Sequence, residues 1–152
     1  MAGRAHVYEA NITWTGNRGQ GTSTYTGYGR DYLARAVEKP DLLMSADEAF
    51  LGNPAKHNPE ELLVVAISSC HMLWYLHLCA DAGIVVGPMK TARPESGGRF
   101  ESVLWRPKVT IESGAVQEAL RLHQDAHQAC FIANSVNFPI RLEPAIQLAS
   151  NE

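Results

Sequence analysis

Residues 58–83 read Asn58-Pro59-Glu60-Glu61-LLVVAISSCHMLWYLHLCADA-Gly83. The start carries three helix signals. Asn58 is a good N-cap, Pro59 suits the first helical position, and Glu61 stands where a capping box places its carboxylate. Gly83 is a natural stop. The run between them is apolar on nearly all sides, and a helix of that kind is buried. The stretch therefore predicts a central helix, wrapped by sheet or by a partner subunit. Cys70 lies in its middle. Cys79 comes nine residues later, about 180° around a helix at 100° per residue, so the two thiols cannot share one intrahelical site. Cys79 reads as a core filler.

Upstream, residues 5–16 alternate roughly, with Val7, Ile12 and Trp14, and predict a strand. Residues 17–21, NRGQG, are turn chemistry. The Thr- and Tyr-rich residues 22–33 predict a second strand, making 5–33 a hairpin. Residues 34–57 form a long connection with a short strand near Leu42–Met44, and connections of that length are usually functional or mobile. Downstream, a strand is expected over 84–93, a turn at Arg93-Pro94-Glu95-Ser96-Gly97-Gly98, and an alternating strand over 99–112. Pro107 marks an edge or a bulge there. A second helix follows over 115–130, then a short connection, then a last strand over 139–148. The order β-β-(β)-α-β-β-α-β predicts an α+β fold with a mostly antiparallel sheet. No repeat or linker divides the chain, so residues 1–152 are expected to form a single domain.

The 152 residues are 45% hydrophobic and 19% charged, an ordinary globular balance rather than a disordered one. A net charge of −3 argues against a nucleic-acid or anionic-membrane partner. The longest unbroken apolar run, Leu62–Ile67, is far shorter than a bilayer span. The start, Met1-Ala2-Gly3-Arg4-Ala5-His6, has no secretory apolar core. Three cysteines do not make a secreted disulfide framework. A cytoplasmic protein is the expectation, its thiols serving as fillers, ligands or redox groups.

Leu120, His123, His127 and Cys130 are spaced three, four and three, so they share one face of the second helix. His123, His127 and Cys130 could hold zinc. Alternatively, the face is simply the inner one, with its histidines hydrogen-bonded near the polar edge. Glu60 either complements the helix dipole or orients a guanidinium near Cys70. Arg18 in NRGQG and Arg30 in YGRDY are the upstream cations, Arg30 with the alternative of a surface pair with Asp31. A thiol inside an apolar helix is silenced by desolvation unless a cation opposes it. The helix offers none between Glu60 and Ala82, so the cation must come from elsewhere in the chain or from a partner.

Several of these residues resemble one family. Asn58-Pro59-Glu60-Glu61-Leu62-Leu63, Ala66 and Ser69-Cys70 look like the first-cysteine helix of the OsmC/Ohr family of osmotically induced and organic hydroperoxide resistance proteins. AHQACFIANSVNFPI, residues 126–140, resembles that family's second-cysteine motif. Trp14-x-Gly16-Asn17-Arg18-Gly19-x-Gly21-Thr22 resembles its N-terminal hairpin. The resemblance implies an intertwined homodimer with two central helices wrapped by sheets. It also implies a thiol peroxidase that reduces organic hydroperoxides and is itself reduced by an external thiol or dithiol, lipoyl-type dithiols included, with no cofactor or metal. In that frame Cys70 is the peroxidatic thiol, Cys130 the resolving thiol, Glu60 the carboxylate and Arg18 the guanidinium, with Arg30 its competitor. His71 stands where the family carries an aromatic, and Phe131-Ile132 where it carries a Pro-containing turn; the 34–57 connection is long for the family. Two other functions remain to be weighed: a zinc protein using His123, His127 and Cys130, and a non-catalytic module binding an apolar ligand.

Overall fold

The computed structural model describes residues 8–90, 95–97, 99–130 and 132–149. The chain divides into two compact units, residues 1–63 and 64–152.

In the first unit, β1 (Ala10–Trp14), β2 (Tyr32–Ala36) and β3 (Leu42–Met44) form one antiparallel sheet in the order β1-β2-β3. Trp14 pairs with Tyr32 and Tyr32 with Met44. The hairpin is real, but its second arm starts at Tyr32, not at residue 22. Residues 15–31 form a long connection tied down by its own polar groups. Trp14 Nε1 donates to the Gly29 carbonyl at 2.9 Å, and the Gly29 N–H donates to the Gly16 carbonyl at 2.7 Å. Gly16 is required there, because a Cβ would stand 1.9 Å from the Gly29 carbonyl oxygen. The 34–57 segment is also organised. It contains β3 and a 3-10 turn at Glu48–Phe50 capped by Asp47, and a bridge joins Met44 to His57. The part of the predicted hairpin at Ala5, His6 and Val7 lies outside the described residues.

Helix α1 (Pro59–Asp81) starts as its sequence dictates. Asn58 Oδ1 accepts from the Glu61 N–H at 2.8 Å, and Glu61 Oε2 accepts from the Asn58 N–H at 3.2 Å. Gly83, at φ 69°, ends it. By length and composition the whole helix passes for a membrane span, which its short unbroken runs conceal. Its inner stripe, Ile67, Ser68, His71, Tyr75 and Cys79, is nonetheless buried, and makes it a core helix. The rest is only partly covered. Val65 is 57% exposed and Leu73 62%, so burial on all sides is not met within one chain.

The remaining elements of the second unit are β4 (Val85–Lys90), β5 (Glu95–Gly97), β6 (Arg99–Trp105), β7 (Lys108–Ser113), α2 (Val116–Ala129), β8 (Ile140–Leu142) and β9 (Ala145–Leu148). The sheets run β4-β7-β9 and β5-β6-β8. The expected turn near Gly97 contains the short strand β5; Arg93, Pro94 and Gly98 lie outside the described residues. Each of the two long predicted strands breaks in two, at Arg106-Pro107 and at Glu143-Pro144, where proline removes a ladder donor. The pairs β6–β8 and β7–β9 are parallel and keep the same offset of 37 residues, from Val103↔Ile140 to Ile111↔Leu148. They are one ladder interrupted by its prolines. The sheets are therefore mixed, with four antiparallel and two parallel pairings among the described residues. The α+β class stands. Tyr75, Cys79, Ile84, Val109, Ile111, Ala119, Leu122 and Ala126 form the core between the helices and this sheet.

Candidate active site

Cys70 is carried by α1 and is half-buried. Cys130 caps the C-terminus of α2 in extended backbone and is fully buried. Cys70 is nonetheless close enough in the fold to act on Cys130, sixty residues away in sequence, and helps to hold its proton. Burial pushes the Cys130 thiol up to about 11. The Ala133 N–H, which donates to its sulfur at 3.4 Å, and the Ile132 N–H pull the other way, while the influence of Cys70 raises it further. Cys130 therefore keeps its proton at neutral pH. Cys79 is fully buried in the core, raised chiefly by its burial, with the Tyr75 hydroxyl beside it. It plays the filler role expected of it.

Between the two thiol-bearing helices stands a cluster that their spacing in sequence does not reveal. His71 Nε2 and His123 Nδ1 are 3.0 Å apart, joining α1 to α2. Both rings are buried, at 1% and 0% exposure. Tyr75 stacks on His123 with centroids 3.8 Å apart, and Trp105 packs on His71 at 4.6 Å. The edge of Trp105 meets His127 at 5.9 Å. Desolvation pushes His71 down to about 4, aided by the nearby His127. Desolvation likewise pushes His123 down to about 3, aided by His71. The only sequence signal was that His123 lies on the inner face of its helix; the partner, 52 residues away, left none.

This arrangement overturns the zinc reading. Among the described residues no three His, Cys, Asp or Glu side chains gather as metal ligands. His123 is engaged by His71, and the Cys130 sulfur accepts from the Ala133 N–H. The expectation of hydrogen-bonded histidines on an inner face holds for His123, although deep in the core rather than at a polar edge.

In the first unit, Asn17 Oδ1 accepts from the N–H groups of Gly19 and Gly21 at 2.9 and 3.0 Å. This shapes the loop that carries Arg18, with both glycines at positive φ. The Asp31 carboxyl is held below its usual range, mainly by Lys56, whose Nζ is 2.6 Å away, with Ser45 and the charge of Arg18 adding to it. Arg30 is not paired with Asp31. Its guanidinium donates to the carbonyls of Tyr28 and Tyr25 and packs over both rings, 4.0 and 4.5 Å from their centroids. Arg30 is thereby spent on its own loop. Glu60 is exposed in the first turn of α1. Its charge adds to burial in raising Tyr32. Among the described residues it forms no ion pair with Arg18 or Arg30.

Residues 52–145 match the family model for OsmC-like proteins. No curated protein matches the chain. Among solved structures it is similar to an OsmC-like protein of unknown function from Vibrio cholerae, 27% identical, with 92% of this chain and 99% of that one covered and a TM-score of 0.80. It shares its fold with an organic hydroperoxide resistance protein from Elizabethkingia anophelis (19% identity, 96% and 99% covered, TM-score 0.63). The same holds for the organic hydroperoxide resistance protein OhrB of Bacillus subtilis (14% identity, 93% and 98% covered, TM-score 0.57). The matched segment spans α1, α2 and both thiols, and on that ground the chain belongs to the OsmC-like protein family.

Proposed function

We propose that this chain is a thiol peroxidase that reduces organic hydroperoxides. The observation that carries this reading is the placement of a partly buried Cys70 on α1 and a fully buried Cys130 at the end of α2, near enough for Cys70 to act on Cys130, within the segment that matches the family. The Cys70 thiolate attacks the O–O bond of ROOH; an S–O bond forms, the O–O bond breaks, and the alkoxide takes a proton to leave as ROH. The Cys130 sulfur then attacks the Cys70 sulfenic acid, its proton leaves with the hydroxyl as water, and a disulfide forms. An external thiol or dithiol, lipoyl-type dithiols among the candidates, restores both thiols by exchange.

Arg18 is the proposed guanidinium that favours the Cys70 thiolate, with Glu60 bracing it. Arg30 is the weaker candidate because its donors are already engaged. The whole chain acts as one OsmC-like domain in a homodimer. Val65 and Leu73 on α1, and Ile12, Leu42 and Leu43 in the first sheet, are exposed apolar side chains that a second copy would cover. Three free cysteines suit a reducing, cytoplasmic compartment. Thiol titration with mass spectrometry, before and after one equivalent of cumene hydroperoxide, tests the reading. Loss of two thiols, with Cys70 and Cys130 joined in one peptide pair, is the expected result. Retention of all three thiols overturns it.

A further inference from the structure

The buried histidine pair is not used by the chemistry above, and its setting is unusual. His71 directly follows Cys70 on α1. His123 precedes Cys130 by seven residues, nearly two helical turns, so the two lie on the same face of α2. One hydrogen bond thus ties the helix of the first thiol to the thiol-bearing face of the second. Tyr75, one turn beyond His71, stacks on the same His123 ring at an interplanar angle of 4°. Helix α1 therefore grips His123 twice, by a hydrogen bond and by a stacked ring. Trp105 packs against His71 at a tilt of 48°.

This contact is a poor way to fill a core. His71 Nδ1 and His123 Nε2 are buried with no hydrogen-bond partner, and apolar side chains of similar volume would avoid that desolvation. What the imidazoles add is direction. Apolar packing tolerates sliding between neighbouring registers, whereas an N–H···N bond at 3.0 Å does not. Direction matters at this place because a disulfide needs Cβ atoms about 3.5–4.5 Å apart, and one residue of helical slip moves a side chain by about 1.5 Å.

We propose that the His71–His123 hydrogen bond is a positioning device for the Cys70–Cys130 pair, fixing α1 on α2 in the register that joins the two sulfurs. This rests on the two-thiol reading above. Its effect falls on the thiol–disulfide balance, not on attack by Cys70 on a peroxide.

The test is equilibration of the full-length protein in glutathione redox buffers. There the two protein S–H bonds are lost, one S–S bond forms, and oxidised glutathione takes up both protons and electrons. His71→Leu and His123→Leu, combined so that neither imidazole is left without its partner, should keep or raise the melting temperature yet shift the equilibrium toward the dithiol about tenfold, or about 30 mV. A Gln amide reaches the place of an imidazole Nε2, and an Asn amide that of Nδ1. The double variant His71→Gln/His123→Asn should therefore restore the parental balance, and the swapped variant His71→Asn/His123→Gln should not. These two amide doubles carry the test if the leucine variant does not fold. A parental potential in the leucine variant, or equal behaviour of the two amide doubles, overturns the proposal. A parent protein that forms no Cys70–Cys130 disulfide in these buffers overturns the two-thiol reading instead.

Discussion

Lowering the pH from 7.5 to 5 should remove about 4 kcal/mol from the stability of the folded state through His71 and His123 alone. Both imidazoles are buried, and both bind protons less readily when folded, at about 4 and about 3, than in the unfolded chain, at about 6.5. A base whose affinity for protons falls on folding makes stability drop as pH falls through the unfolded value. The drop stops once the folded groups also take up protons, near pH 3. At pH 5 each unfolded imidazole is about 1.5 units below its midpoint while the folded one is still neutral. At about 1.4 kcal/mol per unit, each costs about 2 kcal/mol. This figure does not depend on the depth of the shifts, only on both folded groups staying neutral at pH 5. Guanidinium chloride unfolding at fixed protein concentration should show the midpoint falling by about 1 M between the two pH values. The His71→Leu/His123→Leu variant should lose most of that dependence. Identical pH dependence in parent and variant would refute the reasoning, as would imidazole NMR signals of these residues titrating near pH 6.5 in the folded protein.

Cys70→Ser should abolish turnover of organic hydroperoxide, Cys130→Ser should stall at a Cys70 sulfenic acid that dimedone traps, and Cys79→Ser should retain turnover in a coupled assay. Arg18→Ala should slow the reaction of Cys70 with hydroperoxide by roughly ten- to a thousandfold, about 1.4–4 kcal/mol of barrier, in stopped-flow measurements. Arg18→Lys should recover little of that, since an ammonium lacks the planar fork. Arg30→Ala should instead loosen the 25–30 loop, seen as faster backbone hydrogen exchange there, with the rate of Cys70 attack retained. Light scattering should give twice the 16.7 kDa chain mass, and a stable monomer would count against the homodimer.

What could be read from the sequence was local. Asn58, Glu61 and Gly83 are within a turn of the helix ends they set, and their bonds are as expected. Both thiol segments were recognisable because each is a contiguous motif. The errors lie where distant chain decides. Residues 22–31 have strand-forming Thr and Tyr, yet the Gly16–Gly29 closure takes them into a loop. Parallel pairing at a 37-residue offset follows from tertiary packing, not from alternation. His123 looked like one third of a metal site because spacing on one helix cannot reveal a partner on another.

The interrupted ladder also bears on how the chain reaches this state. Strands β6 and β7 gain their parallel partners only from residues 140–148. Contacts of such sequence separation form late, because loop closure must precede any reward. During synthesis, then, β7 has β4 on one side and an open edge on the other until residue 148 has emerged. The second unit is thus expected to complete its sheet only after residue 148 has been made. Until then the unpaired edge, with Val109 and Ile111 not yet enclosed, is the segment most open to wrong partners and to chaperones.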